Sequence, residues 1–176
     1  YHKYLNKKIS AIIPVFTFGN SPDMDTINKI SNQYNIPIIV DAACGIGSSY
    51  KGKKLGTICK SGILSFNGNK TITTGAGGLF FSENLDLVKK VRHLSSTAKI
   101  SNSYDHDMVG YNYRMSNLQA AVGLAQLENL EIILSNKKQI FQSYLDAFQD
   151  NNFSYLLFDK KYGGGSKWIN ALILNE

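Results

Sequence analysis

A continuous apolar run at residues 36–40, Ile-Pro-Ile-Ile-Val, most constrains what this chain can fold into. The run does not alternate with polar residues, so both faces of the segment must be covered, which is typical of an inner strand of a parallel sheet. It ends at Asp41, and two further apolar segments, residues 63–66 and 78–81, flank a loop that contains Lys70. Open α/β sheets gather their ligand-binding groups at the carboxyl ends of such strands. We therefore expect a carboxylate and an amine at one edge of the sheet.

Strand and helix patterns alternate along the rest of the chain. Short apolar runs predict strands at residues 11–16, 155–158 and 169–174. Apolar residues at helical spacing predict helices at residues 23–34, 83–94 and 117–149. Ser21 or Asp23 is expected to cap the first helix, and Glu83 to lie in the first turn of the second. The third helix is expected to bend near Glu131. This order favours an α/β fold with three layers, α/β/α, and a mainly parallel sheet. A composition shift after Gln149 predicts a large domain over residues 1–150 and the truncated start of a smaller one over 151–176.

Composition narrows the classes of protein to which the chain can belong. Its net charge is +6, but the lysines are dispersed among acidic residues and are not interleaved with aromatics, so we expect no nucleic-acid partner. No apolar run approaches the roughly 20 residues that cross a bilayer. Cys44 and Cys59 have neither metal-ligand nor disulfide-framework spacing. We expect a cytoplasmic protein without a metal site or a membrane span, and the N-terminus, which lacks an initial methionine, predicts an internal fragment of a longer chain.

Asp41 and Lys70 together indicate a particular chemistry. A carboxylate beside a pyridine nitrogen keeps that nitrogen protonated. Residues two apart in an extended segment face the same way, so Asp41 and Ala43 would contact the same ligand. A lysine among glycines and hydroxyls can reach that ligand while amides and hydroxyls approach a phosphate. These features favour pyridoxal phosphate bound through Lys70. Three alternatives stay open: an aspartate that only caps a turn, a solvated loop lysine, and a nucleotide-binding loop at residues 75–78.

Three motifs resemble, in order and approximate spacing, the DegT/StrS group of nucleotide-sugar aminotransferases: VDAACGIGSSYKGKKLGT, SGILSFNGNKTITTGAGGLFFS and VGYNYRMSNLQAAVGLAQLENL. The resemblance covers nearly the whole chain. It implies the aspartate-aminotransferase type of PLP fold, of which this chain would hold an incomplete large domain.

The same resemblance implies a role for each of six residues. Lys70 would be the Schiff-base lysine and general base, and Asp41 the partner of the pyridine nitrogen. Ala43 would lie against the cofactor ring, and Cys44 stands where the family usually has Gln or Glu in contact with the ring hydroxyl. Ser65 would bind the cofactor phosphate, and Asn112 would reach the phosphate held by the neighbouring subunit of a homodimer.

The activity that the resemblance implies is transamination. Glutamate is the expected amino donor, and a keto nucleotide sugar is the expected acceptor, for bacterial surface-polysaccharide or amino-sugar biosynthesis. The SFNGNK form is most similar to members that aminate a 4-keto sugar on the way to nonulosonic acids. Two alternatives remain: a PLP-dependent sugar dehydratase, in which histidine replaces the lysine, and a non-catalytic or truncated scaffold of the same fold.

Overall fold

The computed structural model describes residues 6–101, 103–148, 154–157 and 161–174. Within these described residues, four helices and seven short strands follow one another. The strands are β1 (Val40–Asp41), β2 (Ser49–Tyr50), β3 (Lys53–Lys54), β4 (Ser61–Ser65), β5 (Gly78–Ser82), β6 (Ser154–Leu157) and β7 (Ala171–Leu174). The helices are α1 (Met24–Tyr34), α2 (Leu85–Ser95), α3 (Asn117–Glu128) and α4 (Leu130–Phe148), with single 3₁₀ turns at Thr17–Gly19 and Leu55–Thr57.

The main sheet has β1 in its interior. On one side β1 pairs in parallel with β4, with Asp41 opposite Ile63, and β5 closes that edge in antiparallel fashion. On the other side the predicted strand at residues 11–16 forms two isolated parallel bridges, Val15 with Asp41 of β1 and Ile12 with Ile38 just before it. Pro14 has no N–H to donate, so the ladder is interrupted there, although Asp41 N still donates to the Pro14 carbonyl at 2.9 Å. Two of the three pairings described in this sheet are therefore parallel.

Polar side chains cap the N-termini of α1 and α2. The Asp23 carboxylate accepts the Thr26 N–H at 3.1 Å and begins α1. Helix α2 is capped by Asn84, so Glu83 lies before the helix and the expectation that it occupies the first turn was wrong. The long helical region is two helices that break at Asn129, two residues before the predicted bend.

Two clusters of buried side chains hold these elements together. The larger lies between β1, α1 and β2, and its members are Phe16, Met24, Val40, Ala42, Tyr50, Leu55 and Cys59. The smaller joins Ile46, Phe66 and Ile72 to Met115, Leu130 and Ile133, so it packs the loop after β4 against the start of α3 and α4. The apolar stripe predicted on α3 is not covered by the described chain, since the relative exposure of Leu118 is 83%.

A segment after β6 pairs with β2. Residues 162–164 run beside β2, where Ser49 N donates to the Gly164 carbonyl at 2.8 Å and Lys51 N donates to the Tyr162 carbonyl at 3.0 Å. Gly163 and Gly164 both have positive φ, a conformation that favours glycine. Strands β6 and β7 then pair in antiparallel fashion, while Phe158, at the end of one predicted strand, lies outside the described residues. None of the described helices combines the length and apolarity that crossing a bilayer would require.

Candidate active site around Lys70

Asp41 is fixed at the carboxyl end of the inner strand. Its Oδ1 accepts the N–H of Ala43 at 3.0 Å, and Ala42 N donates to the Ile63 carbonyl of β4 at 3.0 Å. Ala42 is fully buried, whereas Asp41 and Ala43 are half-buried. Among the described residues, Ala43 is the one hydrogen-bond donor to this carboxylate. The second carboxylate oxygen can therefore accept a hydrogen bond from a ligand at this edge of the sheet.

The Lys70 amine lies beside the turn that follows Asp41. Its Nζ is 3.3 Å from Sγ of Cys44, three residues beyond the carboxylate. The Lys70 side chain is half-buried, and its backbone N–H donates to the Asn67 carbonyl at 3.0 Å. The structure thus brings together the turn that carries Asp41 and Cys44 and the loop that carries Lys70, as the strand order predicts.

The loop that carries Lys70 is held by its own hydroxyls and by α3. Thr74 N and Thr73 Oγ1 both donate to the Phe66 carbonyl, at 3.0 and 3.1 Å. From α3, the Gln126 side-chain oxygen accepts the N–H of Thr73 at 3.1 Å. Ile72 is 1% exposed and anchors the loop in the smaller core cluster. The backbone is therefore fixed, and movement of the amine depends on the flexible lysine side chain.

Ser65 and Asn112 lie in different surroundings. Ser65 is half-buried at the end of β4, where its hydroxyl accepts the N–H of Asn67 at 3.3 Å. Asn112 is exposed and forms an antiparallel bridge with Ser96. No hydrogen bond between described residues connects Asn112 to Asp41 or Lys70.

Two residues that sequence reasoning did not select contact this site. The indole ring of Trp168 lies over the Lys70 amine, with 4.1 Å between Nζ and the ring centroid, and its N–H donates to the Asn69 carbonyl at 2.6 Å. Ser166, which is 4% exposed, donates from its hydroxyl to the Cys44 carbonyl at 3.0 Å. The available signal was that Trp168 is the single tryptophan of the chain.

A polar cluster outside the site holds the segment at residues 162–164 in place. The pKa of Asp23 is lowered to about 2, first by the hydrogen bond from the Thr26 N–H and then by the Tyr162 hydroxyl. Tyr50 also donates to Asp23, at 3.2 Å, and its ring centroid is 5.1 Å from that of Tyr162. Burial raises the pKa of Tyr50. These contacts fix Tyr162 and so help to fix the chain that leads to Trp168.

Comparison with known proteins identifies the family. The DegT/DnrJ/EryC1/StrS aminotransferase family signature matches residues 2–176, almost the entire chain. The chain belongs to this family. Aminotransferases of the DegT/DnrJ/EryC1/StrS family depend on pyridoxal phosphate.

Curated relatives and a solved structure agree with this assignment. GDP-perosamine synthase of Escherichia coli O157:H7 is 40% identical over 141 residues, which cover 80% of this chain and 39% of that protein. The UDP-4-amino-4,6-dideoxy-N-acetyl-beta-L-altrosamine transaminase of Campylobacter jejuni is 37% identical over 169 residues, or 94% of this chain and 45% of that protein.

The solved structure confirms the predicted α/β fold of the PLP-transferase type. PseC of Helicobacter pylori, an aminotransferase involved in the biosynthesis of pseudoaminic acid, superimposes with a TM-score of 0.87 and 24% identity. The match covers 99% of this chain and 48% of that chain. The chain thus spans less than half the length of these three proteins.

Proposed function

We propose that the protein to which this chain belongs is a pyridoxal phosphate-dependent aminotransferase that transfers an amino group to a keto nucleotide sugar. The observation that carries the proposal is the Lys70 amine, held 3.3 Å from Cys44 at the turn that follows Asp41. The donor set fits the cofactor, because an amine for its carbonyl carbon and a carboxylate for its ring nitrogen stand at one edge of the sheet.

Each of the site residues then has a distinct task. Lys70 would hold the cofactor through its amine and, when free, would act as the base that takes up and returns a proton during the transfer. Asp41 would accept a hydrogen bond from the ring nitrogen and would favour its protonated form. Ala43, which is small and half-buried, would leave room for the ring, and Cys44 would stand near its hydroxyl. When bound, pyridoxal phosphate supplies the carbonyl that takes the amino group and a ring that withdraws electrons.

The phosphate of the cofactor is proposed to be bound by two subunits. Ser65 donates from the end of β4 of one subunit, and Asn112 reaches across from its partner in a homodimer. The exposure of Asn112 and its lack of a hydrogen bond to Asp41 or Lys70 among the described residues support a role in another copy's site.

The substrates are proposed from the relatives. Two of them are named for GDP-perosamine synthesis and for transamination of a UDP-linked amino sugar, which favours a nucleotide-linked keto sugar as the acceptor. Glutamate is the proposed donor, and the cytoplasm the proposed location. We further propose that residues 1–150 belong to the cofactor-binding large domain and that residues 151–176 begin a smaller C-terminal one.

Replacement of Lys70 tests the assignment in the full-length protein. Lys70→Ala should abolish both amino transfer and the visible absorbance of lysine-bound cofactor, because no other amine would stand at the carbonyl carbon. Lys89→Ala is the matched control, since the Lys89 side chain is 79% exposed on α2 and forms only a 3.8 Å ion pair with Asp86. A full-length wild-type protein that develops no visible band with pyridoxal phosphate would instead favour the non-catalytic scaffold.

Subunit complementation tests whether Asn112 acts in the partner's site. Lys70→Ala and Asn112→Ala proteins should each be impaired, and mixed dimers of the two should regain one fully wild-type site, because both intact residues then meet at that site. The control is each variant mixed with itself. If Asn112 served the lysine of its own chain, mixing would restore no activity above the sum of the separate variants.

A further inference from the structure

The contacts of Trp168 converge on the lysine from two directions. Its ring face covers the Lys70 amine at 4.1 Å, and its N–H holds the carbonyl of Asn69, the residue immediately before the lysine, at 2.6 Å. One side chain therefore contacts both the reactive nitrogen and the backbone that carries it. The negative face of an indole attracts a positively charged amine and shields that side of it from water.

Trp168 is itself held firmly. Its carbonyl accepts a hydrogen bond from Lys137 Nζ of α4 at 3.2 Å. Two residues earlier, Ser166 bonds the Cys44 carbonyl through its hydroxyl and the Gly19 carbonyl through its N–H, at 3.0 and 3.3 Å. The sulfur of Cys44 also contacts Lys70. Residues 166–168 therefore contact the amine directly, through the Trp168 ring, and indirectly, through Cys44.

We propose that Trp168 is a positioning residue for Lys70, which holds the amine against the indole ring whenever that amine is not bonded to the cofactor. The inference rests on the proposed role of Lys70. In amino transfer the lysine would have to be free to accept and return a proton at a fixed place. The ring holds the protonated amine in place, and the N–H bond to Asn69 keeps the lysine backbone in register.

The position of Trp168 in the chain also couples the lysine to the C-terminal hairpin. Strand β7 begins at Ala171, three residues after the indole. A displacement of this hairpin would carry the ring away from the amine. The proposed smaller domain therefore contributes directly to the reactive lysine.

Chemical labelling of the cofactor-free, full-length protein tests the contact without relying on activity. We would acetylate the lysines briefly and measure by mass spectrometry how fast Lys70 is modified in the wild type, Trp168→Ala and Trp168→Phe. Loss of the ring in Trp168→Ala should raise the Lys70 rate roughly fivefold, the factor expected for one partly buried cation–π contact. Trp168→Phe keeps a ring over the amine and loses the N–H, so its rate should stay within about twofold of the wild type.

Two controls separate this effect from general loosening. Tyr104→Ala removes another ring that faces a lysine, Lys99, with 5.1 Å between the amine and the ring centroid, and Tyr104 is 92% exposed. This variant should leave Lys70 labelling unchanged. Cys59, which is 6% exposed, reports on the fold, because a loosened variant would alkylate it faster. Unchanged Lys70 labelling in Trp168→Ala, or equal labelling in the Ala and Phe variants, would overturn the proposal.

Kinetics of the cofactor-loaded protein supply an independent readout. Trp168→Ala should lower kcat roughly fivefold and leave the KM for the amino donor within about twofold, because the ring acts on the lysine rather than on substrate binding. Trp168→Phe should recover most of kcat. A rise in KM with kcat unchanged would overturn the positioning role. If the protein bound no cofactor, the proposed function would fail, whereas the labelling experiment would still test the contact between Trp168 and Lys70.

Discussion

Replacing Asp41 with asparagine changes the charge of the candidate site and leaves its local geometry in place. In the structure, Oδ1 of Asp41 accepts the Ala43 N–H at 3.0 Å, and an asparagine side-chain oxygen can accept the same bond. The turn to Cys44 should therefore persist. What is lost is the negative charge that would face the ring nitrogen of the cofactor.

The size of the effect follows from the half-buried position of Asp41 at the end of β1. A hydrogen bond to a charged partner contributes about 1.5–3 kcal/mol. Its loss should weaken pyridoxal phosphate binding about tenfold to 150-fold. The rate of amino transfer should fall further than binding does, because an unprotonated ring withdraws electrons less strongly.

The assay is titration of cofactor-free, full-length protein with pyridoxal phosphate, followed by the visible absorbance of the bound form. Asp41→Ala, which removes both the charge and the bond to Ala43, should bind more weakly than Asp41→Asn. Lys89→Ala again serves as the surface control. An Asp41→Asn protein that binds the cofactor within about twofold of the wild type, with unchanged turnover, would refute the role assigned to this carboxylate.

Two further predictions concern the fold beneath the site. Gly62→Ala should destabilise the protein by about 1–3 kcal/mol in urea unfolding, because its Cβ would lie 2.7 Å from the Val40 carbonyl oxygen and 2.8 Å from Phe81 Cζ. Gly56→Ala is the matched control, because its Cβ would meet nothing within 4 Å. Equal effects of the two substitutions would contradict the steric explanation. Burial raises the pKa of the Cys59 thiol from 9.0 to about 11, so the unfolded chain loses this proton at lower pH than the folded protein does. The free energy of unfolding should therefore fall as pH rises from 9 to 11, and urea titrations should show a smaller fall in Cys59→Ala. An identical pH dependence of the wild type and Cys59→Ala would contradict this prediction.

Local signals in the sequence were enough to locate the main sheet and the helices around it. The uninterrupted apolar run before Asp41 predicted an inner strand, and β1 is indeed paired on both sides. Asp23 was one of two predicted caps and does begin α1. These features depend on a few neighbouring residues, whose propensities act in the same direction as the fold.

Features that depend on distant contacts could not be predicted in the same way. The bend predicted near Glu131 is present as a break at Asn129, but the packing of Leu130 and Ile133 under the Lys70 loop could not be read from local patterns. Trp168 was overlooked because its partner Asn69 is 99 residues away. Local patterns carry no information about which strand end a later segment will reach.

The distance along the chain between the partners of this site also sets the order in which it can form during synthesis. Ser166 and Cys44 are 122 residues apart, so the ribosome completes the aspartate turn and the lysine loop long before it makes the segment that braces them. At about 5–20 residues per second, roughly 5–20 s separate the emergence of Lys70 from that of its aromatic cover. A cofactor molecule captured by the nascent chain in this interval would meet a bare amine, so the final placement of the lysine must wait for the segment that contains Trp168.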